Sequence, residues 1–335
     1  MWEVEWKQLL KEVLNSGSLV KREKPKRSFQ EIISYRFIIE NPRDRLISDP
    51  TRAINIFQCI GHFLWITQGN FNLAGIKYYQ PVAEQFSSDR VRMIGAYGPR
   101  LFGIHHLNQM QHVITTLHNE PLKRRAVASV YLPQFDQHEQ VDEVPCTLNL
   151  QYLIRNKKLH AVTYMRSQDA YVILPYDIFL FTMLQEYVTA FLQIAHDLQL
   201  GEYHHFSGSF HIYTDNINQI KDVIQRKSIN KGIMKKMPSK DIELRLGDLN
   251  KFETVLRNTI TSHEEKKKAV DFDFFFSILK DDLREEYWYQ LALILLCYAT
   301  IIMKDSTNMK KSFKMLDPLY QYYVQMYLTK HRIEI

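Results

Sequence analysis

Apolar residues recur at helical spacing over Val4–Leu14, which predicts an amphipathic helix. The basic stretch Lys21–Arg27, with Pro25 inside it, reads as a loop, and Phe37–Glu40 as a short strand. Ala53–Thr67 is a second helix, ended by Gly69-Asn70, and Ile104–Leu117 a third. The middle of the chain changes period. Leu148, Leu150 and Tyr152 alternate with Thr147, Asn149 and Gln151. His160, Val162 and Tyr164 alternate with Ala161, Thr163 and Met165, and Asn156-Lys157 lies between the two runs. Period-two alternation around a turn dipeptide predicts a β-hairpin. A helix over Ile178–Leu198 and a strand over Ser209–Tyr213 follow.

Beyond Asn216 the strands stop. Lys221–Lys240 is lysine-rich, and Leu249–Ile260, Phe272–Trp288, Leu291–Met303 and Pro318–Lys330 have helical character. The expected layout is an α+β domain over residues 1–216 and a mainly helical region over 217–335. Hydrophobic residues make up 45% and charged residues 24%, a globular balance rather than a disordered one. The net charge of +6 suits anionic ligands without selecting one. Three cysteines, Cys59, Cys146 and Cys297, form no disulfide framework and no CxxC pair, so neither a disulfide scaffold nor a metal is expected. Such a set fits a reducing, cytoplasmic setting. The apolar run Leu291–Met303 is too short to cross a bilayer, so no membrane partner is expected. The lysine-rich segment lacks interleaved aromatic residues, so no nucleic-acid partner is expected either.

Six short motifs stand in order between Gly95 and Tyr213: Gly95-Ala96-Tyr97-Gly98, Arg124-Arg125, Pro145-Cys146, Arg166-Ser167-Gln168-Asp169, Leu174-Pro175-Tyr176-Asp177 and His211-Ile212-Tyr213. In this order and spacing the chain resembles the thymidylate synthase superfamily over residues 28 to 215. Gln151-Tyr152-Leu153-Ile154-Arg155, followed by Lys157-Lys158 and Met165-Arg166-Ser167, is similar to the viral deoxycytidylate hydroxymethylases of that superfamily. The resemblance implies a thymidylate synthase-like α+β fold, with a mixed β-sheet flanked by helices, here carrying a helical C-terminal extension. It implies a homodimer whose substrates are a pyrimidine nucleoside monophosphate and 5,10-methylenetetrahydrofolate.

It also implies roles. Cys146 would be the nucleophile that adds to carbon 6 of the pyrimidine and so activates carbon 5. A cation near it, Arg166, would favour the thiolate. Arg166 and Ser167 would bind the phosphate from the same subunit, and Arg124 and Arg125 from the partner subunit, with Lys21 or Arg22 as a further basic residue. His211 and Tyr213 would hold the sugar, Asp169 would sit near the folate, and Tyr97 would serve proton transfer. Asp177 would read the base: synthases carry asparagine there, and the cytosine-specific branch aspartate. The residues alone leave plainer readings open. Cys146 could be an inert buried thiol, Lys123-Arg124-Arg125 a solvated charge run, His211 and Tyr213 core residues, and Asp177 a helix N-cap.

Two departures bear on the reaction. His62 stands in His62-Phe63-Leu64-Trp65 where synthases have a glutamate, and histidine also transfers protons near neutral pH. No tryptophan occurs between Trp65 and Trp288, so the residue that shields the reactive methylene in synthases is missing. Water capture at that methylene gives hydroxymethyl; hydride capture gives methyl. The expectation is therefore hydroxymethylation of a cytosine nucleotide, dCMP ahead of CMP. Methylation of dUMP, or a catalytically silent nucleotide-binding or assembly protein on the same fold, are the alternatives.

Overall fold

A computed structural model describes the whole chain apart from residues 25, 104–106, 138–142, 230, 267–269, 282 and 335. The first half alternates helices and strands. α1 (Trp2–Ser16) precedes β1 (Ser18–Val20) and β2 (Phe29–Ile39), then α2 (Ile56–Thr67), α3 (Leu73–Lys77), α4 (Tyr97–Phe102) and α5 (Gln109–Asn119). β3 (Val127–Ser129), α6 (Pro133–Asp136), β4 (Thr147–Arg155), β5 (Lys158–Asp169), α7 (Leu174–His196) and β6 (Gln199–Tyr213) complete it. Helices follow: α8 (Ile217–Gln225), α9 (Ile242–Lys266), α10 (Phe272–Asp281), α11 (Glu286–Ile302), α12 (Ser306–Met315) and α13 (Pro318–His331).

The six strands form one sheet in the order β1-β2-β6-β5-β4-β3. Every neighbouring pair is antiparallel except β5 and β6. The fold is thus α+β with a mixed sheet, as the sequence led us to expect. A tight turn joins β4 to β5, with Asn156 at φ 50 and Lys157 at φ 57. Two successive left-handed residues match the twist of a two-residue hairpin, and asparagine tolerates that region best after glycine. The parallel pair requires a long crossover, which α7 supplies.

α7 has 23 residues and is apolar enough to cross a membrane by length and composition, but 78% of its apolar window is buried inside the protein. It is a core helix here. Helices cover one face of the sheet: Trp2 of α1 stacks on Phe37 of β2 at 5.8 Å, and Trp6 Nε1 donates to the Ala170 carbonyl at 2.8 Å. The opposite face carries half-buried Ile38, Leu153, Tyr164 and Phe206, with Tyr164 stacked on Phe206 at 5.2 Å.

The C-terminal helices share the same apolar core. Phe57 of α2 meets Tyr298 of α11 at 4.8 Å and Tyr327 of α13 at 5.0 Å. Buried Glu253 of α9 accepts from Tyr79 Oη at 3.1 Å and from Gln68 Nε2 at 3.2 Å, which ties α9 to the end of α2. Glu186 of α7 accepts from Arg45 at 2.6 Å and from the Met237 N–H at 2.9 Å. Arg257 pairs with Glu253 at 2.7 Å as Arg45 does with Glu186, so each buried carboxylate has a cationic partner, the condition under which burial is tolerated.

Several expected boundaries move. β2 begins at Phe29 rather than Phe37, and β6 at Gln199 rather than Ser209. Much of β2 is half-exposed on both faces, so it shows no clean alternation. The helix expected over Ile104–Leu117 starts at Gln109, capped by the Asn108 side chain, and residues 104–106 lie outside the described residues. Phe272–Trp288 divides into α10 and the start of α11, and α12, whose surface is mostly polar, was not anticipated. The side chains of the charged run at 264–268 lie outside the described residues.

Leu295 of α11 is fully buried. Leu295→Ala should cost about 2–5 kcal/mol. If the C-terminal helices share one cooperative core with the sheet, unfolding followed by sheet circular dichroism and by tryptophan fluorescence should shift together. A separate early transition of the C-terminal helices would contradict that.

Candidate active site

The topology gathers the motif residues at one edge of the sheet. β5 and β6 are parallel, so both end there, with Asp169 registered against His211. β4 is antiparallel to β5, so it begins there, with Thr147 opposite Met165 and Cys146 just before it. The first turn of α7, carrying Asp177, leaves from the same edge a few residues after β5 ends.

Cys146 is half-buried. The Arg166 N–H donates to its carbonyl at 2.8 Å. Arg166 also donates from Nε to the Pro145 carbonyl and from Nη2 to the Val144 carbonyl, each at 2.9 Å. One guanidinium thus fixes the approach to Cys146 and still has donors to spare, since arginine carries five. Burial pushes the Cys146 thiol up, the Arg166 charge pulls it back, and Asp177 pushes it up again. The resting group is therefore a thiol. Cys59 and Cys297 are buried in helices, and burial pushes Cys297 up to about 12. Both behave as inert core thiols.

Tyr97 is half-buried beside these groups. Its hydroxyl accepts from Thr147 Oγ1 at 3.0 Å, and burial together with the charges of Asp177 and Cys146 raises its pKa. Asp177 is only 7% exposed and is pushed up to about 7, mainly by burial. It is not the N-cap of α7; that position is Ile173. Its carboxyl makes no capping bond and instead accepts from Gln168 Nε2 at 2.9 Å. Asp169 Oδ1 accepts from the N–H groups of Tyr171 and Val172, both at 2.9 Å, which shapes the turn into α7.

His211 and Tyr213 share a face of β6, with ring centroids 5.1 Å apart. Burial lowers the His211 pKa against the pull of Asp169. Its Nδ1 is buried and has no hydrogen-bond partner among the described residues. Ser167 pairs with Ser209 across the two parallel strands.

Arg27 was not singled out from the sequence. Its guanidinium lies 3.8 Å from the Tyr213 ring centroid and pairs with Asp215 at 2.9 Å. The start of β2 opposite Tyr213 places it there, a strand start that the pattern of apolar positions did not reveal. Arg22 also contributes its charge near Tyr213.

Two expected site residues fall outside this convergence. Arg124 and Arg125 are exposed, just before β3. The Arg124 carbonyl accepts from Gln151 Nε2 at 2.8 Å, well along β4 from Cys146. Gln151 itself stands five residues along the strand from Cys146, a backbone span of at most about 17 Å. His62 packs at 5.9 Å from the Trp65 ring, and burial brings its pKa down to about 4. It is therefore a neutral imidazole at physiological pH, rather than one that changes charge near neutrality.

One further cluster lies on the open sheet face. His204 Nε2 is 3.3 Å from Glu202 Oε2, and His160 Nδ1 accepts from the Glu202 N–H at 3.2 Å. That acceptor role leaves the proton of neutral His160 on its other nitrogen, so neither nitrogen offers a free lone pair to a metal as the side chain stands.

Asp177 gives a pH test. Its pKa is raised from 3.8 to about 7 in the fold, so the folded chain holds an extra proton between those values. The stability it contributes is complete at acid pH and is lost as pH rises through about 7. Asp177→Asn removes this loss. The melting temperature of the variant relative to wild type should increase between pH 4 and pH 8, by an amount worth at most about 4 kcal/mol. A difference independent of pH would contradict the burial of an ionisable Asp177.

Comparison with known proteins bears on this arrangement. The thymidylate synthase family model matches residues 4–256, wider than the motifs themselves. The deoxyuridylate hydroxymethyltransferase of Delftia phage PhiW-14 is 29% identical over 205 residues, 57% of this chain and 55% of its own. That of Bacillus phage SP01 is 29% identical over 210 residues, 59% of this chain and 54% of its own. The thymidylate synthase of Corynebacterium aurimucosum is 27% identical over 187 residues, 53% of this chain and 66% of its own. The chain spans about half the length of the two phage relatives. With the match running from α1 into α9 across the whole mixed sheet, the chain belongs to the thymidylate synthase family.

Proposed function

We propose that this chain transfers a one-carbon unit to carbon 5 of a pyrimidine nucleoside monophosphate, and that the product is the hydroxymethyl nucleotide. The observation that carries the proposal is the meeting of Cys146, Tyr97 and Asp177 at one edge of the sheet, with Arg166 holding the approach to the thiol. Cys146 gives up its proton and adds as thiolate to carbon 6; carbon 5 bonds the one-carbon unit and loses its own hydrogen as a proton; water then adds to the exocyclic methylene to give the hydroxyl as the sulfur leaves carbon 6. 5,10-Methylenetetrahydrofolate supplies the one-carbon unit when bound. Asp169 commits Oδ1 to the turn and keeps Oδ2 for a partner on that side. Tyr97, whose pKa is raised, keeps its phenolic proton and so serves as a hydrogen-bond donor or proton relay. Arg166 and Ser167 take the phosphate, and His211 with Tyr213 the sugar. The placing of both rings on one face of β6, at the edge where Cys146 lies, supports the sugar assignment.

We assign cytosine as the base, dCMP ahead of CMP, because Asp177 is buried, keeps a proton near neutrality and is held by a neighbouring amide rather than by a helix end. A protonated carboxyl both donates and accepts, as the cytosine edge requires. A second reading, dUMP as substrate, draws support from the names of the two phage relatives. Release of tritium from carbon 5 of labelled dCMP, CMP and dUMP, with and without 5,10-methylenetetrahydrofolate, separates these readings. Folate-dependent release from dCMP is expected, abolished by Cys146→Ser with nucleotide binding retained. Release from dUMP alone would move the assignment to the second reading. Turnover surviving in Cys146→Ser would remove the covalent route.

We also propose a homodimer joined through the uncovered sheet face, in which Arg124 and Arg125 complete the partner subunit's phosphate site. The exposure of both arginines supports it, as do the half-buried apolar side chains on that face. Mixing Cys146→Ser subunits with Arg125→Ala subunits should restore one working site per heterodimer. No recovery above the two separate variants would refute the shared site.

A further inference from the structure

Gln168 occupies the one free position of the Arg-Ser-x-Asp motif and is only 1% exposed. Its Nε2 donates to Asp177 Oδ2 at 2.9 Å and lies 3.4 Å from the Asp169 carbonyl. Its Oε1 is buried without a partner. As placed, the amide directs Nε2 at two acceptors, Asp177 Oδ2 and the Asp169 carbonyl, and turns Oε1 away from both.

That orientation matters for a protonated carboxyl. A carboxylic acid presents one donor and one acceptor, and its proton can sit on either oxygen. Cytosine offers the exocyclic amine as donor and ring nitrogen 3 as acceptor. Uracil offers the reverse order, a carbonyl acceptor and a ring N–H donor. An acid free to exchange its proton between oxygens matches either edge. An N–H already donated to Oδ2 favours that oxygen as the acceptor and moves the proton to Oδ1.

We propose that Gln168 is a positioning residue for base choice: its Nε2–H on Asp177 Oδ2 fixes the order in which the carboxyl presents donor and acceptor to the base. This rests on the reading above that Asp177 faces the base. Gln168 acts through Asp177 and touches no substrate. A fixed order rejects the wrong base because that base leaves buried polar groups unpaired.

The test is the ratio of dissociation constants for dUMP and dCMP, measured by calorimetry on the full chain for wild type, Gln168→Met, Gln168→Glu and Asp177→Asn. Gln168→Met keeps the length and removes the donor. Its ratio should fall toward one by about tenfold or more, with both nucleotides still bound. Parallel weakening of both, with the ratio unchanged, is the result of a merely structural role and overturns the proposal. Gln168→Glu keeps the volume and donates to Asp177 only while the pair holds an extra proton. Its base preference should therefore decay as pH rises through neutrality. A ratio like that of wild type at every pH overturns the proposal, and this variant decides if Gln168→Met does not fold. Asp177→Asn separates the two levels of the argument. If it moves the ratio and the Gln168 variants do not, Gln168 has no part in base choice while Asp177 still reads the base. If none moves it, the assignment of Asp177 to the base falls as well.

Discussion

The site depends on one constraint, the parallel pairing of β5 with β6. Parallel neighbours cannot be joined by a short turn, so a crossover must return the chain to the starting edge. α7 is that crossover, and its first turn begins beside the ends of both strands. Asp169, Asp177, His211 and Tyr213 are thereby brought to one edge from distant parts of the chain. The antiparallel hairpin then brings Cys146 to the same edge, because β4 starts where β5 finishes. A shift of one residue in the pairing would turn every side chain of a strand to the other face. The buried inner face, with Phe37, Tyr203 and Phe210 in it, holds the register against that shift.

Burial gives the site its electrostatic character. It raises the pKa values of Cys146, Tyr97 and Asp177 and lowers those of His62 and His211. In each case the charged form is disfavoured by loss of water. The resting site is thus largely neutral inside, with cationic Arg27 and Arg166 at its edge. In the proposed reading, an anionic nucleotide would meet positive partners at the rim, while its base and sugar would enter a region of neutral donors and acceptors. Hydrogen bonds discriminate strongly there, because an unmatched group has no water to turn to.

Much of this was legible in the sequence, for identifiable reasons. The hairpin could be read because β4 and β5 each have one buried face and the turn residues tolerate positive φ. The motif residues could be located because their order along the chain was intact. Asp177 was ambiguous, since an aspartate before an apolar run also suits a helix cap. Only the observed start of α7 at Leu174, and the bond from Gln168, decide against the cap. Arg27 gave no sequence signal because its partner Tyr213 is distant in the chain, and Gln168 none because its bond to Asp177 forms only where β5 meets the start of α7. β2 was shortened because half-buried residues on both faces blur alternation. The protonation state of His62 could not be read either: burial, invisible in the sequence, lowers its pKa and leaves it a neutral imidazole.

The central claim is that the fold delivers the Cys146 thiol to carbon 6 of a bound pyrimidine. A 5-fluoro nucleotide tests it most directly, since fluorine at carbon 5 cannot leave as a proton and the adduct cannot break down to product. Intact-mass and peptide analysis of the chain incubated with 5-fluoro-dCMP and 5,10-methylenetetrahydrofolate should find a covalent adduct on the peptide containing Cys146. The Cys146→Ser chain should show none. An adduct on another residue, or none on a chain that turns over dCMP, would contradict the account.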